Sequence, residues 1–208
     1  MRAFWENYKL VFFILRHPFD GFYAMKYEKK GTMGVAFVNF ILLCVSYSFN
    51  AQYSSLVVSQ RHPLAMHSLY EGFSLLAILF LWSVANWSVT SLTDGEGKLK
   101  EIIMANCYAM TPIILIFIPA TLLSRVMADG EAPFYHLLIT VAITLFVLYA
   151  YVGMVTVHNF TAGKALATIF LTLVALLIVA FLIGLVFTLF QQLYVFVYSV
   201  YTEIVFRY

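Results

Sequence analysis

Five apolar runs, near residues 33–53, 72–92, 100–123, 134–157 and 164–190, leave this chain little choice but a bundle of membrane-crossing helices. Each is close to or above the roughly 20 residues that a helix needs to cross the hydrocarbon layer. Composition agrees. The 208-residue chain is 63% hydrophobic and 11% charged, whereas a soluble domain carries about 25% charged residues. One soluble core could not hide that much apolar surface, so lipid must cover it. The predicted fold class is therefore an all-α integral membrane protein with five transmembrane helices.

Three regions follow: an interfacial amphipathic segment (1–30), a five-helix membrane domain (31–190) and an amphipathic aromatic tail (191–208). The first holds Arg2, Lys9, Arg16, Lys26, Lys29 and Lys30, interleaved with Phe4, Trp5, Tyr8, Phe12 and Phe13. Basic residues among aromatics place a helix in the headgroup region, and Pro18 should end it. Its apolar run is flanked by Glu6 and Asp20, with no small-residue cleavage site after it, which does not fit a signal peptide.

Charge sets the expected orientation. With the N-terminus inside, the inner segments hold those six cations plus Lys98, Lys100 and Lys164, and the outer segments hold Arg61, Arg125 and Arg207. The positive-inside rule then predicts a cytosolic N-terminus and, with five spans, an extracytoplasmic C-terminus.

The outer loop 54–71 carries Arg61, His62, Pro63 and His67, which read as a solvated loop rather than a metal site. The inner turn Asp94-Gly95-Glu96-Gly97 is turn chemistry, with the glycines expected to supply positive φ. Glu96 and Lys100 stand four apart, a spacing that suits an exposed ion pair at the helix start. Asn86 and Asn106 flank this turn at similar depth, and they are expected to face each other across the hairpin as a register device. Pro112 and Pro119 should bend the third span. His136 and His158 fall near span ends and read as interfacial.

No Asp, Glu, Lys or Arg occupies the centre of a span, which disfavours proton-coupled pumps and ion carriers. Cys44 and Cys107 sit apart in apolar runs and read as buried small hydrophobes. In the tail, Tyr194, Tyr198 and Tyr201 form a stripe at i, i+4, i+7, expected on an outer-surface helix as an aromatic belt or a docking face.

With these features in place, the chain resembles a bacterial member of the Yip domain family, relatives of the eukaryotic Rab-GTPase-interacting membrane proteins. The resemblance is carried by HPFDGFYAMK (17–26), DGEGKLKEIIMANCYAMTP (94–112), HNFTAGKAL (158–166) and VYSVYTEIVFR (197–207). A small residue, a tyrosine and a proline four residues later recur in the family's third span; here they are Cys107, Tyr108 and Pro112. The acidic-aromatic-glycine-proline motif of the eukaryotic relatives is only echoed, by Asp20, Gly21 and Tyr23, so GTPase binding is not carried over. The resemblance implies a multi-pass protein of the bacterial cytoplasmic membrane without catalysis, some of whose relatives accompany carbohydrate uptake systems.

The functional expectation is a non-enzymatic accessory or scaffold protein that needs no cofactor or metal. Its partners would be the lipid bilayer and other membrane proteins, with ABC importer subunits as candidates. A net charge of +2 gives no reason to expect nucleic acid. The alternative is a homo-oligomeric channel or transport component with an amide-lined path through Asn86 and Asn106. A membrane enzyme would have to rely on Asp94, Glu96, Glu101 and His158, whose places beside turns need no chemistry to explain them.

Overall fold

The computed structural model describes the backbone of residues 2–58 and 67–206, and every regular element among them is a helix. In chain order these are α1 (Arg2–Arg16), α2 (Pro18–Lys26), α3 (Met33–Tyr53), α4 (Ser68–Leu92), α5 (Leu99–Ala109), α6 (Thr111–Ser124), α7 (Ala132–His158) and α8 (Ala162–Phe206). A 3-10 turn, Asp129–Glu131, leads into α7. Five helical stretches are long and apolar enough to cross a membrane: α3, α4, α5 with α6, α7 and α8. The reading of Arg61, His62 and Pro63 lies outside the described residues.

The third span, expected to bend, is interrupted at Met110, between α5 and α6. Pro112 sits in the first turn of α6, where a missing N–H costs least. It still leaves the carbonyl four residues back, that of Tyr108, without its usual donor. Thr111 Oγ1 supplies one at 2.7 Å. Beside it, Asn39 of α3 donates Nδ2 to the Cys107 carbonyl at 2.6 Å and to Thr111 Oγ1 at 3.1 Å. Proline is tolerated in membrane helices when neighbouring side chains re-satisfy freed backbone groups in this way. Pro119 stays inside α6 without ending it.

A second polar cluster ties the opposite end of the same helices. Asn50 Nδ2 donates to Thr121 Oγ1 at 2.8 Å and to Tyr135 Oη at 2.9 Å, and Ser124 Oγ accepts from the Ser55 N–H at 3.2 Å. Between the clusters lie Phe40, Leu43, Ile114 and Phe117, so α3 and α6 are joined by polar contacts at both ends of an apolar middle, and α7 joins them at the second cluster through Tyr135.

The N-terminal segment belongs to the bundle. As Pro18 requires, α1 stops at Arg16 and α2 starts at Pro18. The two helices close tightly because residue 21 is glycine: a Cβ there would lie 2.6 Å from Ile14 Cγ1. Leu10, Val11 and Ile14 of α1 and Phe22, Ala24 and Met25 of α2 are buried. Phe22 packs beside Gly153 of α7, where an added Cβ would come within 3.3 Å of its ring. Tyr149 donates its hydroxyl to the Leu15 carbonyl at 2.6 Å. Tyr149 precedes the end of α7 by nine residues, about 13 Å of helix, so α1 reaches well alongside the bundle.

The tail corrects the expected boundary at residue 191, because α8 continues unbroken to Phe206. No helix breaker stands at the junction: Gln191 and Gln192 are polar but good helix formers. Only Ala165, Thr168 and Thr172 of α8 are buried, all within its first three turns. These small residues let α8 lie close against α4.

The proline break generates a prediction. Thr111→Val should orphan the buried Tyr108 carbonyl and destabilise the protein by about 1–3 kcal/mol. In a Pro112→Ala background, which restores a backbone donor, the same substitution should cost measurably less. Thermal unfolding of the four proteins in one detergent gives the coupling, and equal costs in both backgrounds would refute the assignment.

Candidate functional site

The residues singled out around the hairpin turn converge at the end of the bundle where the end of α2, the α4–α5 turn and the α7–α8 turn meet. Their centre is His158, the last residue of α7, which is 1% exposed. The Gly97 N–H points at its Nδ1 across 3.3 Å, and its Nε2 lies 3.2 Å from Asn86 Oδ1. Nδ1 must be unprotonated to accept from Gly97. The proton therefore sits on Nε2, which donates to the Asn86 amide oxygen, and the ring is neutral. The chain of bonds continues inward. Asn86 Nδ2 reaches Met154 Sδ at 3.1 Å and Thr172 Oγ1 at 3.3 Å, and Thr172 donates to the Thr168 carbonyl at 2.8 Å. One amide thus links α4, α7 and α8.

This corrects two expectations. His158 is buried within the bundle instead of lying at an interface, because the α4–α5 and α7–α8 turns close over it. Asn86 and Asn106 do not pair: Asn106 Nδ2 reaches Ser83 Oγ at 3.3 Å, one turn from Asn86 along α4. The hairpin register is still held by an amide, but Asn86 turns away from α5 towards the imidazole.

The glycines of the turn serve a different purpose from the one expected. Neither has positive φ; the left-handed residue is Asp94, at φ 55°, a conformation that aspartate tolerates. Gly95 and Gly97 are needed because the loop backbone presses on the histidine. A Cβ on Gly95 would stand 2.7 Å from His158 Nδ1, and one on Gly97 2.6 Å from Cε1. Gly95 also donates its N–H to the Thr90 carbonyl at 2.8 Å, closing the end of α4.

Glu96 does not pair with Lys100. Its carboxylate takes Lys26 Nζ at 3.2 Å, Tyr27 Oη at 3.1 Å and Asn159 Nδ2 at 3.3 Å. The hydrogen bonds from Asn159, Lys26 and Tyr27, together with the Lys26 charge, hold the carboxyl below its ordinary range. Lys26 also donates to the Val157 carbonyl at 2.8 Å, placing a cation at the C-terminal end of α7, where the helix dipole favours one. Asn159 adopts φ 55° to turn the chain after α7. The start of α5 is capped by Glu101, whose carboxylate accepts the Lys98 N–H at 3.1 Å.

Two other groups of expected residues lie elsewhere. Tyr108 is buried in the third span, its hydroxyl 3.4 Å from both the Thr32 N–H and the Thr32 carbonyl. Tyr194, Tyr198 and Tyr201 lie far along α8, exposed, with the first two rings stacked at 6.3 Å. Lys26, Asn159, Thr172 and Met154 were missed by the sequence reading. The cue for the first two was that two tight turns on one side of a bundle must meet there.

The arrangement is structural in character: a neutral imidazole, a bonded Asn86 amide and an ion pair between a nearly buried Lys26 and a half-exposed Glu96. Among the described residues no three His, Cys, Asp or Glu side chains come together as metal ligands.

The family model for the Yip1 domain matches residues 12–201, nearly the whole of this architecture. This chain belongs to the Yip1 domain family. No curated protein and no solved structure matches it. It is accordingly a multi-pass Yip1-domain membrane protein, and the span pattern and resemblance read from the sequence agree with that assignment.

Two measurements test the site. Gly97→Ala should overpack the imidazole and destabilise the protein by about 1–3 kcal/mol, while Gly130→Ala, with open space around it, should be close to neutral; thermal unfolding compares them. Glu96→Gln should lower the melting temperature at neutral pH. A depressed carboxyl stabilises the fold above its unfolded value, and that stabilisation fades as pH falls through the folded value. The gap between wild type and Glu96→Gln should therefore be full above pH 4.5, the ordinary value, and close below it.

Proposed function

We propose that this Yip1-domain protein is a non-enzymatic membrane scaffold that uses the distal half of α8 to hold another membrane protein. The observation that carries this reading is the length and isolation of α8. Its 45 residues extend over about 67 Å, against roughly 30 Å of hydrocarbon. Beyond Thr172 none of its residues is buried. Phe181, Phe187, Phe190, Tyr194, Phe196 and Tyr201 are all more than 60% exposed. Lipid covers the part of α8 within the hydrocarbon; the apolar surface beyond it has no lipid to cover it and is expected to be covered by a partner.

The saturated interior supports scaffolding over conduction. The Asn86 amide is spent on contacts within the chain and Asn106 bonds Ser83, so the two amides do not together line a path. A Yip1 domain is a non-enzymatic membrane module, in keeping with a role by binding. The orientation follows from charge: the cationic α1 and α2 lie on the cytosolic side and α8 ends outside. The finer reading takes the membrane as a bacterial cytoplasmic membrane and the partner as a subunit of an ABC-type carbohydrate importer. It rests on the resemblance read from the sequence.

A mild-detergent pull-down of the tagged protein, with mass spectrometry of what accompanies it, tests the proposal. A stoichiometric transporter subunit is expected, lost from a Tyr194→Ala, Tyr198→Ala, Tyr201→Ala variant that still melts like wild type. Recovery of a homo-oligomer alone would overturn it in favour of self-assembly.

A further inference from the structure

The corner between α1 and α2 holds a cleft of about 710 Å³, lined by Lys9, Phe13, Asp20, Tyr23, Glu28 and Lys30 over a floor that includes Leu10 and Ala24. Its size falls within the range of small-molecule sites, roughly 300–1,000 Å³. It lies outside the His158 cluster and is not used by it.

Three observations define what the cleft would take. The first is position. Lys30 stands three residues before the start of α3, so the rim of the cleft lies within about 10 Å of a membrane span. On the other side, α1 is bonded to Tyr149 in the flank of α7. The second is charge. Glu28 and Lys30 pair with each other at the rim. Lys9 and Asp20 are exposed and have no ion-pair or hydrogen-bond partner among the described residues. One unspent cation and one unspent carboxylate thus line a single cleft. The third is the apolar lining: Phe13 and Tyr23 are 42% and 52% exposed, and present rings beside those charges.

A ligand that meets all three carries a phosphate and an ammonium group on one apolar body. We infer that the α1–α2 cleft binds the headgroup of an aminophospholipid, with Lys9 on the phosphate and Asp20 on the ammonium. A primary ammonium suits Asp20 better than a trimethylammonium, because a carboxylate accepts hydrogen bonds that only the former can donate. Tyr23 and Phe13 offer ring faces to the cation and to the glycerol region. The site would fix the N-terminal helices to a lipid of defined chemistry, where a diffuse basic surface would attract any anionic lipid. The inference rests on the corner lying at the membrane surface and is independent of what α8 holds.

The test uses the full chain, reconstituted in bilayer discs of phosphatidylcholine doped with equal amounts of phosphatidylethanolamine and phosphatidylglycerol. It is then released into native mass spectrometry. One phosphatidylethanolamine should be retained in preference to phosphatidylglycerol. Asp20→Asn should abolish that preference while keeping retention of a phosphate-bearing lipid. Lys9→Gln should reduce retention of both lipids severalfold, and Lys164→Gln, a cation on a different helix, should change neither. Unaltered helix content by circular dichroism would show that the variants fold. Equal retention by wild type and Asp20→Asn, or a preference for phosphatidylglycerol in wild type, would overturn the inference. Displacement of the lipid by millimolar inorganic phosphate would also overturn it, showing a free-anion site.

Discussion

The contact between two inner turns through one histidine organises this protein. Helices in lipid gain little from burying apolar surface against one another, since the tails are as apolar as the side chains. What holds them is close approach of small residues and hydrogen bonds between them. His158 supplies both. Its ring is the surface on which the glycine turn packs, and its nitrogens bond the turn on one side and the Asn86 amide on the other. Because Asn86 passes the linkage to α8 through Thr172, one bonded series runs from the α4–α5 turn through α7 and α4 to α8.

Lys26 adds the N-terminal segment to this frame. Its bonds to the Val157 carbonyl and to Glu96 bring α2 against the end of α7 and the turn beneath it. The Glu96 pairing is exposed and screened by solvent, so it contributes little to stability alone. Its effect is to select one docking position for a helix pair already held by Phe22, Met25 and Ile14. Apolar burial provides the attraction and the polar contacts specify the geometry.

The spans were legible from sequence because lipid imposes a length: the first was placed at 33–53, where α3 lies, and the others started within about four residues of their helices. The break near Pro112 was legible for a similar reason, since a proline cannot donate. Partner choice was not. Spacing put Asn86 and Asn106 at one depth but could not reveal that a third helix offers Asn86 an imidazole. Glu96 and Lys100 have the right separation for a pair, yet Lys26 lies 70 residues away in sequence and is nearer in space. The glycines were correctly assigned to a turn and given the wrong reason, because close approach to His158 is a tertiary fact. The helix was expected to end with the fifth span, yet it continues to Phe206 since nothing in Gln191-Gln192 stops a helix.

The seating of α8 has a mechanical meaning. Its buried residues, Ala165, Thr168 and Thr172, occupy the first 11 of 45 positions, so the remainder is a rigid arm fixed at one end. At 1.5 Å per residue the arm beyond Thr172 measures about 50 Å, and a tilt of 10° at its base would carry its tip through roughly 9 Å. The hydroxyls that seat it are the last members of the bonded series that begins at Gly97. The α4–α5 turn and the base of the arm thus belong to one hydrogen-bonded series, and the angle at which the arm leaves the bundle is set where that series ends.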